Sequence, residues 1–385
     1  MDFYSTNSLS WDKLEYDTDA IQNLHYGLIH VGLPTMIDLS NAKLPNIING
    51  NTPKNYELCQ EGDIAFADAS EDTNEVAKAV EFYNLNGKDV ICGLHTIHGR
   101  DNQEKTVVGY KGYAFSSTAF YHQIRRIAQG TKIYSINSKN FSECYIGIPS
   151  KEEQKKIATL LQLIDERIAT QNKIIEDLKK LKSAISNYLY TRKELLETTI
   201  CLADIATLKN GYAFKSTKYN TLGQWKILTI ANVSGERYIN DDDCNCIINL
   251  PKDIQDYQVL NEGDILISLT GNVGRVSLCK AGNYLLNQRV GLLHITKDVN
   301  QEFLFQILSS RKFENSMVAC GQGAAQMNIG KGDVESYVLP YSSNVNNIRM
   351  IAEILQSYDK FIINEQRTRT LLTMQKQYFL AQMFI

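Results

Sequence analysis

The sequence predicts an α+β protein: two strand-rich α/β domains, each followed by one long helix. Three observations carry this. Residues 150–190 form an unbroken helical run with apolar residues every three to four positions. Residues 348–384 repeat that run. Before and between the two runs lie blocks of short β-like segments, separated by turns in which Gly, Asn, Tyr and Thr are frequent. The expected domains are 1–147 and 198–338, and the expected helical segments are 148–197 and 339–385. A chain of 385 residues is long enough for such a division.

The first block, 1–147, has β-like runs at 27–31, 63–66, 88–92 and 106–110. Short helices are expected at 71–82 and at 119–127, the second ending in Gln129-Gly130. The first long helix follows Pro149, with Ser150 and Glu153 at the spacing of a capping box. Its apolar positions are Ile157, Leu160, Leu161, Ile164, Ile168, Ile174, Ile175, Leu178, Leu181, Ile185, Tyr188 and Leu189. That is a heptad with a widened seam. About 40 residues at 1.5 Å each make a rod of roughly 60 Å. Such a rod needs a partner to cover its seam.

The second block, 198–338, has β-like runs at 225–230, 264–269 and 290–295 and a helix at 302–309. Glu61-Gly62-Asp63-Ile64 recurs in it as Glu262-Gly263-Asp264-Ile265, most simply a turn that opens a strand. The second long helix supplies the seam partner. Ile157-Ala158, Leu161, Gln162, Asp165, Ile168 and Leu178 recur 194 residues later as Ile351-Ala352, Leu355, Gln356, Asp359, Ile362 and Leu372. Each long helix follows a Pro that ends an apolar, strand-like run, 146–149 and 337–340. The seams turn polar at Gln171 and at Glu365 and Arg369, which either fix register or face water.

Composition narrows the function. A net charge of −3 argues against non-specific coating of nucleic acid but leaves room for local basic patches. The eight Cys form no paired CxxC motif, so zinc is not expected and a reducing, cytoplasmic setting is. The N-terminus has neither the basic flank nor the apolar core of a signal peptide, and no apolar run has the length of a membrane span. No two Pro are adjacent, which excludes the Pro-Pro-aromatic loop of an amino-methyltransferase, and no GxxxxGK[ST] is present. Gly321-Gln322-Gly323-Ala324-Ala325 follows a helix rather than a strand, unlike a dinucleotide site. No nucleophile motif supports a catalytic triad, so no catalytic residue is assigned.

Groove reading by polar side chains on a rigid scaffold fits better. The first block offers His95, Thr96, His98, Arg100, Lys111, Arg125, Arg126 and Lys132. The second offers Lys215, Lys218, Asn272, Arg275, Gln288, Arg289, Gln326 and Asn328. Counted from a shared Gln-Gly, Gln326-Met327-Asn328 lies where Ile133-Tyr134-Ser135 lies in the first block. His95 and His98 are metal-capable types, but with no third ligand in view DNA contact or plain surface is preferred.

Two variable strand-rich blocks, each trailed by a long helix, resemble the specificity subunit of type I restriction–modification systems. The helix opening Ile148-Pro149-Ser150-Lys151-Glu152-Glu153-Gln154-Lys155-Lys156-Ile157-Ala158 is similar to that family, as is Leu208-Lys209-Asn210-Gly211-Tyr212-Ala213-Phe214. The first block lacks the latter stretch, and three extra residues separate Pro340 from Ile351-Ala352. The resemblance implies two target-recognition domains, each reading half of a split site in double-stranded DNA, separated by two antiparallel coiled-coil helices. It implies a non-catalytic chain on which two modification subunits dock. Those subunits carry S-adenosylmethionine and methylate adenine, and restriction subunits join them in some systems. Because the two blocks differ, the site should be asymmetric. A catalytic DNA-modifying subunit and a non-DNA coiled-coil scaffold are the alternatives.

Overall fold

A computed structural model describes residues 1–384 apart from 73–74, 131, 142 and 322–326. Its contacts divide the chain into two units, Met1–Asn172 with Arg367–Ile385, and Lys173–Gln366. The division falls inside both long helices, so each unit holds part of each.

In the first unit one sheet runs in the order Asp2–Tyr4, Thr96–Arg100, Ile64–Ala67, Ala79–Asn84, Met36–Asp38. A second runs Leu14–Glu15, Asn46–Ile47, Gln22–Leu24, Val90–Cys92. The second unit repeats this wiring. Its sheets are Ala206–Asn210, Val290–Ile295, Ile265–Ser268, Val276–Leu278, and Asn245–Ile247, Trp225–Leu228, Tyr284–Leu286, Val259–Leu260. In both, Gln22–Leu24 and its counterpart Trp225–Leu228 pair in parallel with a strand several elements further along the chain, Val90–Cys92 and Tyr284–Leu286. The strand Asp2–Tyr4 fills the edge that Ala206–Asn210 fills in the repeat, although the two sequences share no pattern. The shared Glu-Gly-Asp-Ile is a turn in both units, with Gly62 and Gly263 at φ 87° and 88°, where a side chain would be strained.

Three sequence expectations give way. Residues 26–31 are a helix, Tyr26–Val31, whose N-terminus is capped by His25 Nδ1 accepting from Gly27 N at 3.1 Å. The helix expected at 71–82 is replaced by the strand Ala79–Asn84, whose first four residues are all buried. A strand covered on both faces shows no alternation, so periodicity does not separate it from a buried helix. Residues 106–110 lead through Gly109, at φ 91°, into the helix Tyr110–Ala114. The expected helices near 119–127 and 302–309 are Thr118–Ile127 and Gln301–Leu308.

The long helices are Lys151–Thr191 and Val345–Gln382. Ser150 Oγ accepts from Glu153 N at 3.3 Å, one half of a capping box. Before the second helix, Val338–Tyr341 pairs antiparallel with Thr198–Cys201, whereas residues 145–150 join no strand. Along the first helix, Gln154, Ile157, Leu161, Ile164, Ile168, Gln171, Ile175, Leu178, Lys182, Ile185 and Leu189 alternate by three and four, a heptad seam, and all are buried or half-buried. Leu160, Ile174, Leu181 and Tyr188 stand one position outside it and are 36–56% exposed, so the widened seam is narrower than the sequence reads. Gln171 is buried, Glu365 is half-buried and Arg369 is exposed.

In the first unit Ile157, Ala158 and Leu161 share a core with Leu380, Phe384, Tyr110 and Tyr113. In the second, Leu189 shares one with Ile348, Ile351, Ala352 and Leu355. Early residues of one helix pack with late residues of the other in each unit, so the pairing is antiparallel. Each pair of half-helices is also part of the core beneath the adjoining sheets.

Candidate nucleic-acid interface

In the second unit the strand Ile265–Ser268 runs into a loop that other segments grip through their backbones. Leu269 N donates to Arg289 O at 3.0 Å, Ile329 N to Leu269 O at 2.9 Å, and Gly271 N to Met327 O at 3.0 Å. Thr270 Oγ1 donates to Asn328 Oδ1 at 3.0 Å. Gln288 N donates to Tyr212 O at 3.0 Å, which attaches the loop carrying Lys215 and Lys218. Gly211 allows that approach, since a Cβ there would lie 2.1 Å from Asn287 O. The lattice brings together six sequence-predicted residues, Lys215, Lys218, Asn272, Gln288, Arg289 and Asn328, and all are exposed. Arg275 lies at the loop's far end, 3.5 Å from Glu314 and half-exposed. Gln326 and most of the Gly321–Ala325 stretch lie outside the described residues.

The first unit repeats part of this lattice. Asp68 N donates to His95 O at 3.0 Å and Ile136 N to Asp68 O at 2.9 Å. Ser135 opposes Ala69 as Asn328 opposes Thr270. His95 thus stands where Arg289 stands in the repeat, and Ser135 where Asn328 stands. His95 is exposed, at φ 54°, with Nδ1 3.1 Å from Asp68 Oδ1. Burial pushes the Asp68 carboxyl above its usual range, although His95 opposes this. Lys132 is exposed two residues before the Tyr134–Ser135 strand, and Arg125 and Arg126 are exposed in the last turn of Thr118–Ile127.

Four sequence-predicted contacts lie inside the first unit instead. Thr96 is buried, its hydroxyl donating to Gly93 O. His98 is fully buried, with Nε2 2.7 Å from Asp63 Oδ2. Arg100 is sequestered by Asp63, by Glu57 at 2.6 Å and by Leu58 O at 2.8 Å. Burial works against the Asp63 charge, but hydrogen bonds from His98 and Arg100 outweigh it and hold the carboxyl below its usual range. Lys111 is buried, donating to Thr106 Oγ1 at 2.9 Å and lying 3.6 Å from Glu81 Oε1. Apart from His98 Nδ1, the side-chain polar atoms of these four are engaged with internal partners, so the four belong to the scaffold rather than to an exposed surface.

Other polar groups, which sequence reasoning missed, tie the domains to the helices. Asp165 accepts from Tyr113 Oη at 2.9 Å and from Lys376 Nζ at 2.6 Å. Asp359 accepts from Lys182 Nζ at 2.5 Å, Gln306 Nε2 at 2.6 Å and Arg237 Nη1 at 2.9 Å. Arg237 also grips Glu302 through both its terminal nitrogens, at 2.8 and 2.6 Å. Lys182 and Lys376 lie 194 residues apart, as the two aspartates do, and that spacing was the available signal.

An α/β unit built twice, with part of each long helix in both copies, defines a class of two-unit proteins with an internal repeat. Residues 41–180 and 197–373 match the family described as the type I restriction modification DNA specificity domain, and the chain belongs to that family. Membership places it with the non-catalytic specificity subunits. It is 27% identical over 259 residues to the type I restriction enzyme MjaVIII specificity subunit of Methanocaldococcus jannaschii, covering 61% of this chain and 60% of that relative. It is 25% identical over 371 residues to the putative MjaX specificity subunit of the same organism, covering 91% and 82%. The fold is similar to the S subunit of a type I system from M. genitalium, with TM-score 0.56, 14% identity, and coverage of 100% of this chain and 93% of that one. A chain from a structural study of complex assembly and conformational transition in the type I system gives TM-score 0.54 at 15% identity, with coverage of 90% and 89%. No helix among the described residues is long and apolar enough to cross a membrane.

Proposed function

We propose that each unit reads one half of a split, asymmetric site in double-stranded DNA through the loop lattice described above. One observation carries this: the two units share two backbone bonds and one strand pairing of the lattice, yet expose His95 and Ser135 in one and Arg289 and Asn328 in the other. A common frame with different side chains is what two readers of different sequences require. In this reading the long helices set the half-site spacing, as a dimer interface does for repressors.

In the same reading two modification subunits, holding S-adenosylmethionine and methylating adenine, dock on the helices, as do restriction subunits in systems that have them. Exposed apolar residues support a docking role: Leu371, Met374 and Tyr378 are 57–63% exposed on the second helix, at i, i+3 and i+7. The complex works in the cytoplasm, in keeping with cysteines that are all unpaired among the described residues. The test is to replace residues 198–338 with the corresponding block of a relative and map methylated adenines by sequencing. Change confined to one half-site supports the reading; change in both halves, or in neither, refutes it.

A further inference from the structure

We propose that the first unit contains a buried site for a divalent transition-metal ion, with zinc the expected occupant, held by Cys59, Cys92 and His98. The sequence alone put no third ligand beside His98; the fold brings two thiols to it from distant positions. The Sγ atoms of Cys59 and Cys92 are 3.6 Å apart. Both lie, with a ring nitrogen of His98, in a cluster whose ligand atoms are all within 4.8 Å of one another. Zn–S bonds of about 2.3 Å in a tetrahedron put two sulfurs roughly 3.8 Å apart, so the thiols already sit near a coordination edge.

The histidine is prepared for ligation. It is fully buried, and Nε2 is engaged with Asp63 at 2.7 Å. Nδ1 is buried without a partner among the described residues, an orphan polar atom in a protein interior. A carboxylate bonded to one ring nitrogen fixes the tautomer that leaves the other free to bind a metal. Asp63 is itself held by Arg100. Two thiolates would neutralise a divalent ion, and their two protons would pass to solvent on binding.

The repeat supplies the contrast. Ile64 and Ile265 begin matching strands, and His98 opposes Ala65 as Leu292 opposes Leu266. Cys92 opposes Leu24 in parallel as Leu286 opposes Leu228. Cys59 precedes the shared Glu-Gly-Asp-Ile by two residues, as Leu260 does. Leu260, Leu286 and Leu292 all belong to one apolar core cluster. The same architecture therefore closes with three leucines where the first unit places two thiols and an imidazole, so packing alone does not call for them.

The test is the zinc content of the full chain, purified under reducing conditions, with a triple variant beside it. Wild type should retain about one zinc per chain, with three protein ligands and the fourth tetrahedral position left to a water. Cys59→Leu with Cys92→Leu and His98→Leu, which installs the repeat's own residues, should lose it, while Cys244→Ser should keep it. If the triple variant does not fold, cobalt substitution of the unmodified chain is read instead. Thiolate-to-cobalt charge transfer that is lost in Cys59→Ser supports the site. Metal-free wild type that acquires no such absorption, zinc content unchanged in the triple variant, or a Cys59–Cys92 disulfide in place of metal would overturn it.

Discussion

Lys376 donates to Asp165 at 2.6 Å and so joins the two long helices within the first unit. Within the second, Lys182 donates to Asp359 at 2.5 Å. The lysines and the aspartates are each 194 residues apart, so each bond is the other with the helices exchanged. Both lysines occupy seam positions, where a charge is costly unless it finds a partner. Antiparallel alignment gives each lysine the opposite helix's aspartate.

Reversing one charge should therefore harm the fold, and reversing both should repair it. Lys376→Glu faces Asp165 with a like charge, and Asp165→Lys faces Lys376 with one. The double variant restores the pair. A double-mutant cycle on urea midpoints should show a coupling of about 0.5–3 kcal/mol. Additive effects would remove the bond from the account of register.

Lys111 belongs to the scaffold, and its loss should show in stability. The Glu81 carboxylate, fully buried, accepts from Gly109 N at 2.9 Å and Gly112 N at 2.7 Å, with Lys111 the nearby cation. Removing one member of a buried ion pair typically costs about 3–5 kcal/mol. Lys111→Ala should lower the unfolding midpoint accordingly, while the folded fraction binds DNA as before. A DNA defect without a stability defect would return Lys111 to the reading surface.

Acid should loosen the second unit through Glu302. Burial opposes its charge, but Arg237 and the amides of Gln306 and Gln356 outweigh this and hold the carboxyl below its usual range. A depressed folded pKa contributes stability that is present above the unfolded value of about 4.3 and is lost as pH falls through the folded one. Between those two values the unfolded chain binds more protons, so stability rises with pH there. Glu302→Gln should flatten that acid limb in melting temperatures taken from pH 3 to 6. An unchanged limb would mean that the Glu302 contacts contribute nothing to acid sensitivity.

The repeat was legible because apolar spacing and the Asp165–Asp359 match survive in both copies. The helices' length and pairing followed from that. The loop lattice was only partly legible. The Gln326–Asn328 and Ile133–Ser135 correspondence could be counted, and Asn328 and Ser135 do occupy matching places. Burial was not legible: Thr96, His98 and Arg100 lie on one strand as a polar string, and nothing local says that Asp63 and Glu57 fold over them. The Cys59, Cys92 and His98 cluster was hidden for the same reason, since its members come from separate strands and segments. Contacts made by tertiary closure in one unit alone, with no counterpart in the repeat, leave no spacing to read.

Arg289 and His95 give the sharpest test of the two-reader model, because the lattice makes them counterparts. Both are exposed, and a surface substitution such as Arg289→Ala usually changes stability by no more than about 0.5 kcal/mol, while at His95, with φ 54°, stability is measured alongside binding. Their effects should therefore appear in binding. If Arg289 reaches a base edge, Arg289→Ala should cost about 1–3 kcal/mol and relax specificity at one position. If it holds a phosphate, binding should weaken on all sequences alike and the salt slope should fall by about one. His95→Ala should act on the other half-site alone. Affinities of the assembled complexes for duplexes altered in one half at a time, taken at several salt concentrations, distinguish these outcomes. Effects of both substitutions on the same half-site would break the correspondence between His95 and Arg289, and with it the assignment of one half-site to each unit.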